Sequence, residues 1–246
     1  MTGTVRTRHA KPPTDDSSIG RQRRKGNVKP VKIGLLGLGT VGSGVVRIVE
    51  EHQEDLQRQI GCPLSIEKIL VKNVDKPRSV AVDPAKLTTD PHEVLNDPEI
   101  DLVVEVIGGT GAARDMVMAA LERGKHVVTA NKDLMALHGQ DVLRKAEEKG
   151  CDVFYEASVA GGVPILRTLV DGFSSDRIYK IMGIVNGTTN YILSKMSQDG
   201  AAYEDVLREA QELGYAEADP TNDVEGYDAA YKMAILATLG FHARID

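Results

Sequence analysis

VKIGLLGLGTVGSGVV (residues 31–46) is a short apolar run that ends in glycines and reopens with apolar residues at helical spacing. Continuous apolar runs of this length are how strands buried on both faces read. Within it, Gly37-Leu38-Gly39-Thr40-Val41-Gly42 spells G-x-G-x-x-G. Between a strand and a helix, that spacing has a mechanical reading. Gly37 makes the tight turn, Gly39 lets a diphosphate approach the backbone, and Gly42 lets the helix pack on the strand. Free N–H groups at the helix start, around Thr40 and Val41, then face the anion together with the helix dipole. A dinucleotide-binding turn is expected here; the plain alternative is a turn with no ligand.

The chain downstream continues the pattern. Residues 40–60 read as a helix, SIEKILV (65–71) as a strand, and His92–Leu95 as a short helix. DLVVEVIGG (101–109) reads as a strand, ARDMVMAALERG (113–124) as a helix and HVVTAN (126–131) as a strand. QDVLRKAEEKG (140–150) reads as a helix and CDVFYEASV (151–159) as a strand. Strand–helix alternation demands a parallel sheet with right-handed crossovers. The expected fold is α/β: a Rossmann-type doubly wound parallel sheet over residues 30–158. After Ala160 the rhythm shifts. Residues 163–173, 188–198, 202–214 and 226–240 read as helices and 176–185 as a strand, a partial α+β substrate and dimerisation domain over 159–246.

Composition narrows the function. The chain has 246 residues, 41% hydrophobic and 27% charged, a balance that supplies ample core. Aromatics are only 4%, with no Trp, which argues against a base-stacking surface. The net charge is −6, but residues 1–29 hold eight Lys or Arg and two Asp, about +6, which leaves −12 on the rest. An acidic body speaks against nucleic acid as partner. No run of about 18 apolar residues occurs, so no membrane span is expected. Residues 1–29 have no apolar segment and read as a disordered basic tail. RQRRK (21–25) before the apolar run looks like a twin-arginine signal, but the run is better explained as a strand entering a glycine turn. Cys62 and Cys151 form no metal or redox pair, which suits a reducing cytoplasm.

Ligands of open α/β sheets bind outside the carboxyl ends of the strands. The second strand ends LVKNVDKPR, with Lys72 where an NAD-type acid would stand and Arg78 just beyond. Cations there suit a 2′-phosphate, so NADP is favoured, with Asp75 leaving NAD possible. Strands three and four end GGTGA (108–112) and TANKD (129–133), which puts Thr110, Asn131 and Lys132 where nicotinamide and substrate would meet.

Near the end, GYAEADPTNDVEGYDAAYK (214–232) holds five carboxylates and closes on one lysine. Asp228 and Lys232 are four apart, on one helix face. Alone, that pair reads as an ordinary surface pair, and Asn222 or Asp223 as a helix cap.

Five stretches in order change that weighting: GLLGLGTVGSGVV, TANKDLMALHG, YEASVAGGVPI, GIVNGTTNYILSKM and GYAEADPTNDVEGYDAAYK. Together they resemble the homoserine dehydrogenase family over nearly everything after residue 30. The resemblance implies NAD(P)H-dependent interconversion of L-aspartate 4-semialdehyde and L-homoserine, on the route to threonine, isoleucine and methionine. It implies that Gly37, Gly39 and Gly42 cradle the diphosphate, and that Thr110, Lys132 and Gly214 touch the cofactor. Glu217 and Asp228 would hold the substrate, a small molecule, and Lys232 would donate the proton. Asp223 would position Lys232. Glu156, Val159, Gly161 and Val163 would bind a monovalent cation, sodium. Family members continue well beyond GFHARID, so the resemblance also implies a C-terminally truncated chain and a homodimer at full length. The alternative is a non-catalytic NADP-binding module on the same scaffold. An acyl-enzyme semialdehyde dehydrogenase needs a nucleophilic cysteine at the site, and neither Cys62 nor Cys151 is placed for that.

Overall fold

Ile33 and Leu35 pack towards one face of the central strand and Leu36 towards the other, all of them at most 4% exposed. That strand is β1 (Val31–Leu36). The computed structural model describes residues 29–243 and Ile245, so the basic tail lies outside it except for Lys29, whose Nζ sits 2.9 Å from Asp101. The other strands are β2 (Leu64–Leu70), β3 (Leu87–Thr88), β4 (Leu102–Glu105), β5 (His126–Thr129) and β6 (Val153–Phe154). All pair in parallel, in the order β3-β2-β1-β4-β5-β6. The order reverses between β1 and β4, the switch point at which such sheets open a crevice.

Helices cover both faces: α1 (Thr40–Glu51), α2 (Gln53–Ile60), α3 (His92–Leu95), α4 (Ala112–Glu122) and α5 (Lys132–Lys149). Val46 and Val49 of α1 join Ile33, Leu35 and Val104 in one core. Leu36, Val103 and Val127 pack with Val117, Leu121 and Leu134 of α4 and α5 in the other. Each such side chain, fully buried, contributes about 1.5–3 kcal/mol. Beyond β6 come α6 (Ile165–Arg167), which runs into a wide π turn at Thr168–Gly172, then α7 (Gly187–Asp199), α8 (Tyr203–Glu212), α9 (Thr221–Val224) and α10 (Tyr227–Phe241). Ile235 and Leu236 of α10 extend the sheet core, and α10 packs against α5. Ile192, Val206, Ala210 and Ala216 form a small separate core around α7 and α8.

Several boundaries differ from the sequence reading. The helix expected over 40–60 breaks at His52 (φ −111°, ψ 21°) into α1 and α2. The helix expected from 140 begins at Lys132, because the Asn131 side chain caps it by accepting from Leu134 N. The strands expected over 101–109 and 151–159 shrink to four and two residues. Glycines with positive φ, Gly108 and Gly109, turn the first away, and a 3-10 turn at Glu156–Ser158 ends the second. The strand expected over 176–185 does not form. Ile178 and Ile181 turn inward, but Tyr179, Met182 and Ile184 are 90%, 78% and 78% exposed, with no neighbouring strand to pair the backbone. β3 and α9 were too short to show a period.

Among the described residues no helix is long and apolar enough to cross a membrane. Both cysteines are free, and burial pushes the Cys151 thiol up, consistent with an inert side chain.

Candidate active site

The glycine turn has the three mechanical features its spacing implies. Gly37 takes φ 105° and its N–H donates to the Leu70 carbonyl at 3.0 Å, which closes the turn against β2. A Cβ on Gly42 would meet the Gly37 carbonyl oxygen at 2.2 Å, so only glycine lets α1 lie this close. A Cβ on Gly39 would meet nothing within 4 Å, so the space beside it is open to a ligand. Thr40 and Val41 begin α1 beyond it and are exposed. N–H groups at a helix start, with the helix dipole, are the kind of feature that favours an anion.

At the end of β2, Lys72 is exposed and has no ion pair among the described residues. The Arg78 guanidinium reaches back to donate Nη2–H to the Asn73 carbonyl at 2.6 Å, while its buried Nε lacks a partner. Among the described residues no carboxylate pairs with either cation.

The ends of β4 and β5 are joined by side chains. Glu105, the last residue of β4, is fully buried. Its Oε1 accepts from Ile107 N at 2.8 Å and Gly108 N at 3.0 Å, and its Oε2 accepts from Thr129 Oγ1 at 2.6 Å. Asn131 Nδ2 donates to Gly109 O at 2.7 Å. Thr110 follows directly, half-buried, and Lys132 is the first residue of α5.

Lys132 is where the sheet meets the later helices. Its Nζ lies 3.2 Å from Asp228 Oδ1 on α10, and 3.7 Å from Asp133. Lys232 Nζ donates to Asp228 Oδ2 at 2.6 Å and to Val185 O at 2.7 Å. Asn186 Nδ2 donates to Asp228 Oδ2 at 2.9 Å and to Asp223 Oδ1 at 2.7 Å, while its Oδ1 caps α7 by accepting from Thr189 N. Asp228 is 8% exposed and thus serves two ammonium groups and one amide from three elements. Burial pushes its carboxyl up, but hydrogen bonds from Lys232 and Asn186, the Lys232 charge and the Lys132 hydrogen bond outweigh this and hold it below the ordinary carboxylate range.

Lys132, Asp228 and Lys232 therefore come together, and Asp223 joins them only through Asn186. Glu217 does not reach them. It is exposed beyond α8, its side chain without a partner among the described residues. Gly214 (φ 77°) lies just before it, and this loop is tethered to α7 through Thr188 Oγ1 donating to Tyr215 O at 2.7 Å. Glu156, Val159, Gly161 and Val163 lie on a separate turn. There the Glu156 carboxylate accepts from Leu166 N at 2.8 Å and Arg167 N at 2.9 Å, capping α6. A groove of about 850 Å³ between α5 and α10 contains none of these lysines or carboxylates and is not this site.

Two residues escaped the sequence reading. Asn186 had a signal, since N-G-T-T opens a helix. Glu105 was the lone charge inside an apolar run, an unusual position in a strand buried on both faces.

The fold and cleft define the class: an α/β nucleotide-binding scaffold whose switch point leads to an amine–carboxylate site. The family model described as "Homoserine dehydrogenase, NAD binding domain" matches residues 37–156, and "Homoserine dehydrogenase" matches 164–246. A homoserine dehydrogenase of Bacillus subtilis is 59% identical over 219 residues, 89% of this chain and 51% of the relative. A solved homoserine dehydrogenase from Thiobacillus denitrificans is 49% identical with TM-score 0.85, over 89% of this chain and 50% of that one. A hyperthermophilic archaeal homoserine dehydrogenase solved in complex with NADPH is 28% identical with TM-score 0.75, over 87% of this chain and 71% of that one. The chain belongs to the homoserine dehydrogenase family. It spans about half the length of the curated relatives it matches.

Proposed function

We propose that this chain carries the nucleotide site and proton-donating lysine of an NADP-dependent homoserine dehydrogenase, which interconverts L-aspartate 4-semialdehyde and L-homoserine. The observation that carries the reading is the sharing of buried Asp228 between Lys132 and Lys232 at the carboxyl end of the sheet. Surface pairs do not bury a carboxylate between two amines from separate elements.

A nicotinamide cofactor supplies the hydride when bound. The residues of this chain do the rest. Hydride arrival at an aldehyde carbon leaves negative charge on its oxygen, and an ammonium in hydrogen-bond reach stabilises that charge and donates a proton. Lys232 is the donor. Asp228 aims it, and the Val185 carbonyl limits its swing. Lys132 adds positive charge on the cofactor side. Asp228 lies where the substrate's ammonium would bind, and Glu217, outside this cluster in the structure, would meet the substrate from the exposed loop after α8. Asp223 acts through Asn186, which it hydrogen-bonds. Lys72 and Arg78 favour the 2′-phosphate of NADP, and the NADPH bound by the archaeal relative supports that preference. Gly37, Gly39, Gly42, Thr110 and Gly214 shape the cofactor's path.

Glu156 and the main-chain oxygens of Val159, Gly161 and Val163 offer hard donors, chemistry that fits sodium. They lie on a turn reversed at Ala160 (φ 49°) and Gly162 (φ 88°), which a cation would brace without entering the reaction. At full length the protein is read as a cytoplasmic homodimer of amino-acid biosynthesis. The exposed side chains of Tyr179, Met182 and Ile184 are the apolar surface such an interface would cover.

Titration with NADPH and NADH, followed by homoserine and NADP⁺, tests this. Tighter NADPH binding with homoserine-dependent reduction of NADP⁺ is expected. NADPH binding with no homoserine-dependent reduction would contradict the dehydrogenase reading and leave a nucleotide-binding module.

A further inference from the structure

Glu105 is a buried carboxylate that the chemistry above does not use. It and Thr129 are register partners on adjacent parallel strands, so their side chains leave the same face of the sheet. The position is fully buried, where a carboxylate is costly unless fully hydrogen-bonded. Here it is: two backbone amides of the loop after β4 and one hydroxyl from β5 all donate to it.

The hydrogen bonds close a ring. Glu105 holds Ile107 and Gly108, and Gly109 accepts from the Asn131 side chain at 2.7 Å. Asn131 N donates to Thr129 Oγ1 at 3.0 Å, and Thr129 returns to Glu105. Asn131 Oδ1 also accepts from Leu134 N, which fixes the first turn of α5. The ring thus sets two things at once: the path of Gly108 and Gly109 into Thr110, and the start of the helix that carries Lys132. Both lie on the β4–β5 side of the switch point, away from the Lys72–Arg78 end of β2.

We infer that Glu105 is a positioning residue for the nicotinamide end of the cofactor, acting through the Gly108–Thr110 loop and Lys132. The inference rests on the nucleotide site proposed above. A purely architectural Glu105 would support the whole domain evenly; a positioning Glu105 supports one half of one ligand.

The test compares affinity for NADPH with affinity for adenosine 2′,5′-bisphosphate, which carries the adenine end and lacks the nicotinamide. The full chain, Glu105→Ala and Glu105→Gln are measured alongside thermal melts. Glu105→Ala is expected to weaken NADPH about tenfold and the bisphosphate by less than about twofold, since misplaced groups lose contact only where they touch. Glu105→Gln keeps an acceptor for the two amides but turns an NH₂ towards Thr129, so a smaller, equally selective loss is expected. Equal weakening of both ligands, or none in a folded variant, would overturn the inference. Should Glu105→Ala not fold, Glu105→Gln decides: selective loss supports positioning and unchanged NADPH affinity refutes it. An unsubstituted chain that bound neither ligand would refute the nucleotide site itself, an outcome distinct from every variant result.

Discussion

The ammonium of Lys132, at the start of the helix that follows β5, lies 3.2 Å from Oδ1 of Asp228 on the far later helix α10. One carboxylate therefore couples the sheet to the proton donor, since its other oxygen receives Lys232. Asp228→Asn removes the carboxylate shared by both amines and, among the described residues, leaves Lys132 only Asp133, at 3.7 Å. Charge-assisted hydrogen bonds are worth about 1.5–3 kcal/mol each. Loss of about ten- to a hundredfold in kcat/KM for homoserine is expected, with NADPH affinity changed far less. Steady-state kinetics with a parallel cofactor titration checks this.

The same carboxylate has a pH signature. Its folded pKa is depressed, so its contribution to stability is fully present above the unfolded carboxylate value of about 3.9 and is lost as pH falls through the lower folded value. Urea unfolding across that acid window should show a steeper loss of stability for the unsubstituted chain than for Asp228→Asn. Identical slopes would mean that Asp228 is not held ionised by its lysines.

The glycine turn separates binding from folding. Gly42→Ala would place a Cβ 2.2 Å from the Gly37 carbonyl oxygen, so α1 must shift, at a cost of about 1–3 kcal/mol. Gly39→Ala meets no protein atom and takes an unstrained φ of −84°, so stability should fall by less than about 1 kcal/mol. Both variants should bind NADPH at least about tenfold more weakly, because a methyl at Gly39 stands where the diphosphate approaches. Melting curves and NADPH titrations distinguish the two.

Cofactor preference resides at the end of β2. Arg78→Ala with Lys72→Ala should cut the NADPH-over-NADH affinity ratio by about ten- to a hundredfold, the equivalent of one lost charge-assisted contact to the 2′-phosphate. An unchanged ratio would move 2′-phosphate recognition elsewhere.

Much of this was legible in the sequence. Leu35, Leu36, Val103 and Val104 are buried on both faces of the sheet, which is why β1 and β4 read as unbroken apolar runs. Asp228 and Lys232 showed as a pair through helical spacing alone. The Lys132–Asp228 contact did not, because it exists only once α10 packs on α5. The early start of α5 rests on the Asn131 cap, and Gly139 sits buried inside the helix beside Met135. Residues 176–185 read like a strand yet lack a partner, and a sequence pattern alone cannot supply one. Glu105 was visible as a misplaced charge, but its three donors lie on a loop and a neighbouring strand whose approach only the register reveals.

The most direct test of the central claim is homoserine-dependent reduction of NADP⁺ by this chain and by Lys232→Ala. The account predicts turnover that requires homoserine and falls by about a hundredfold or more in the variant, with NADPH affinity retained. Turnover that survives the loss of Lys232 would contradict it.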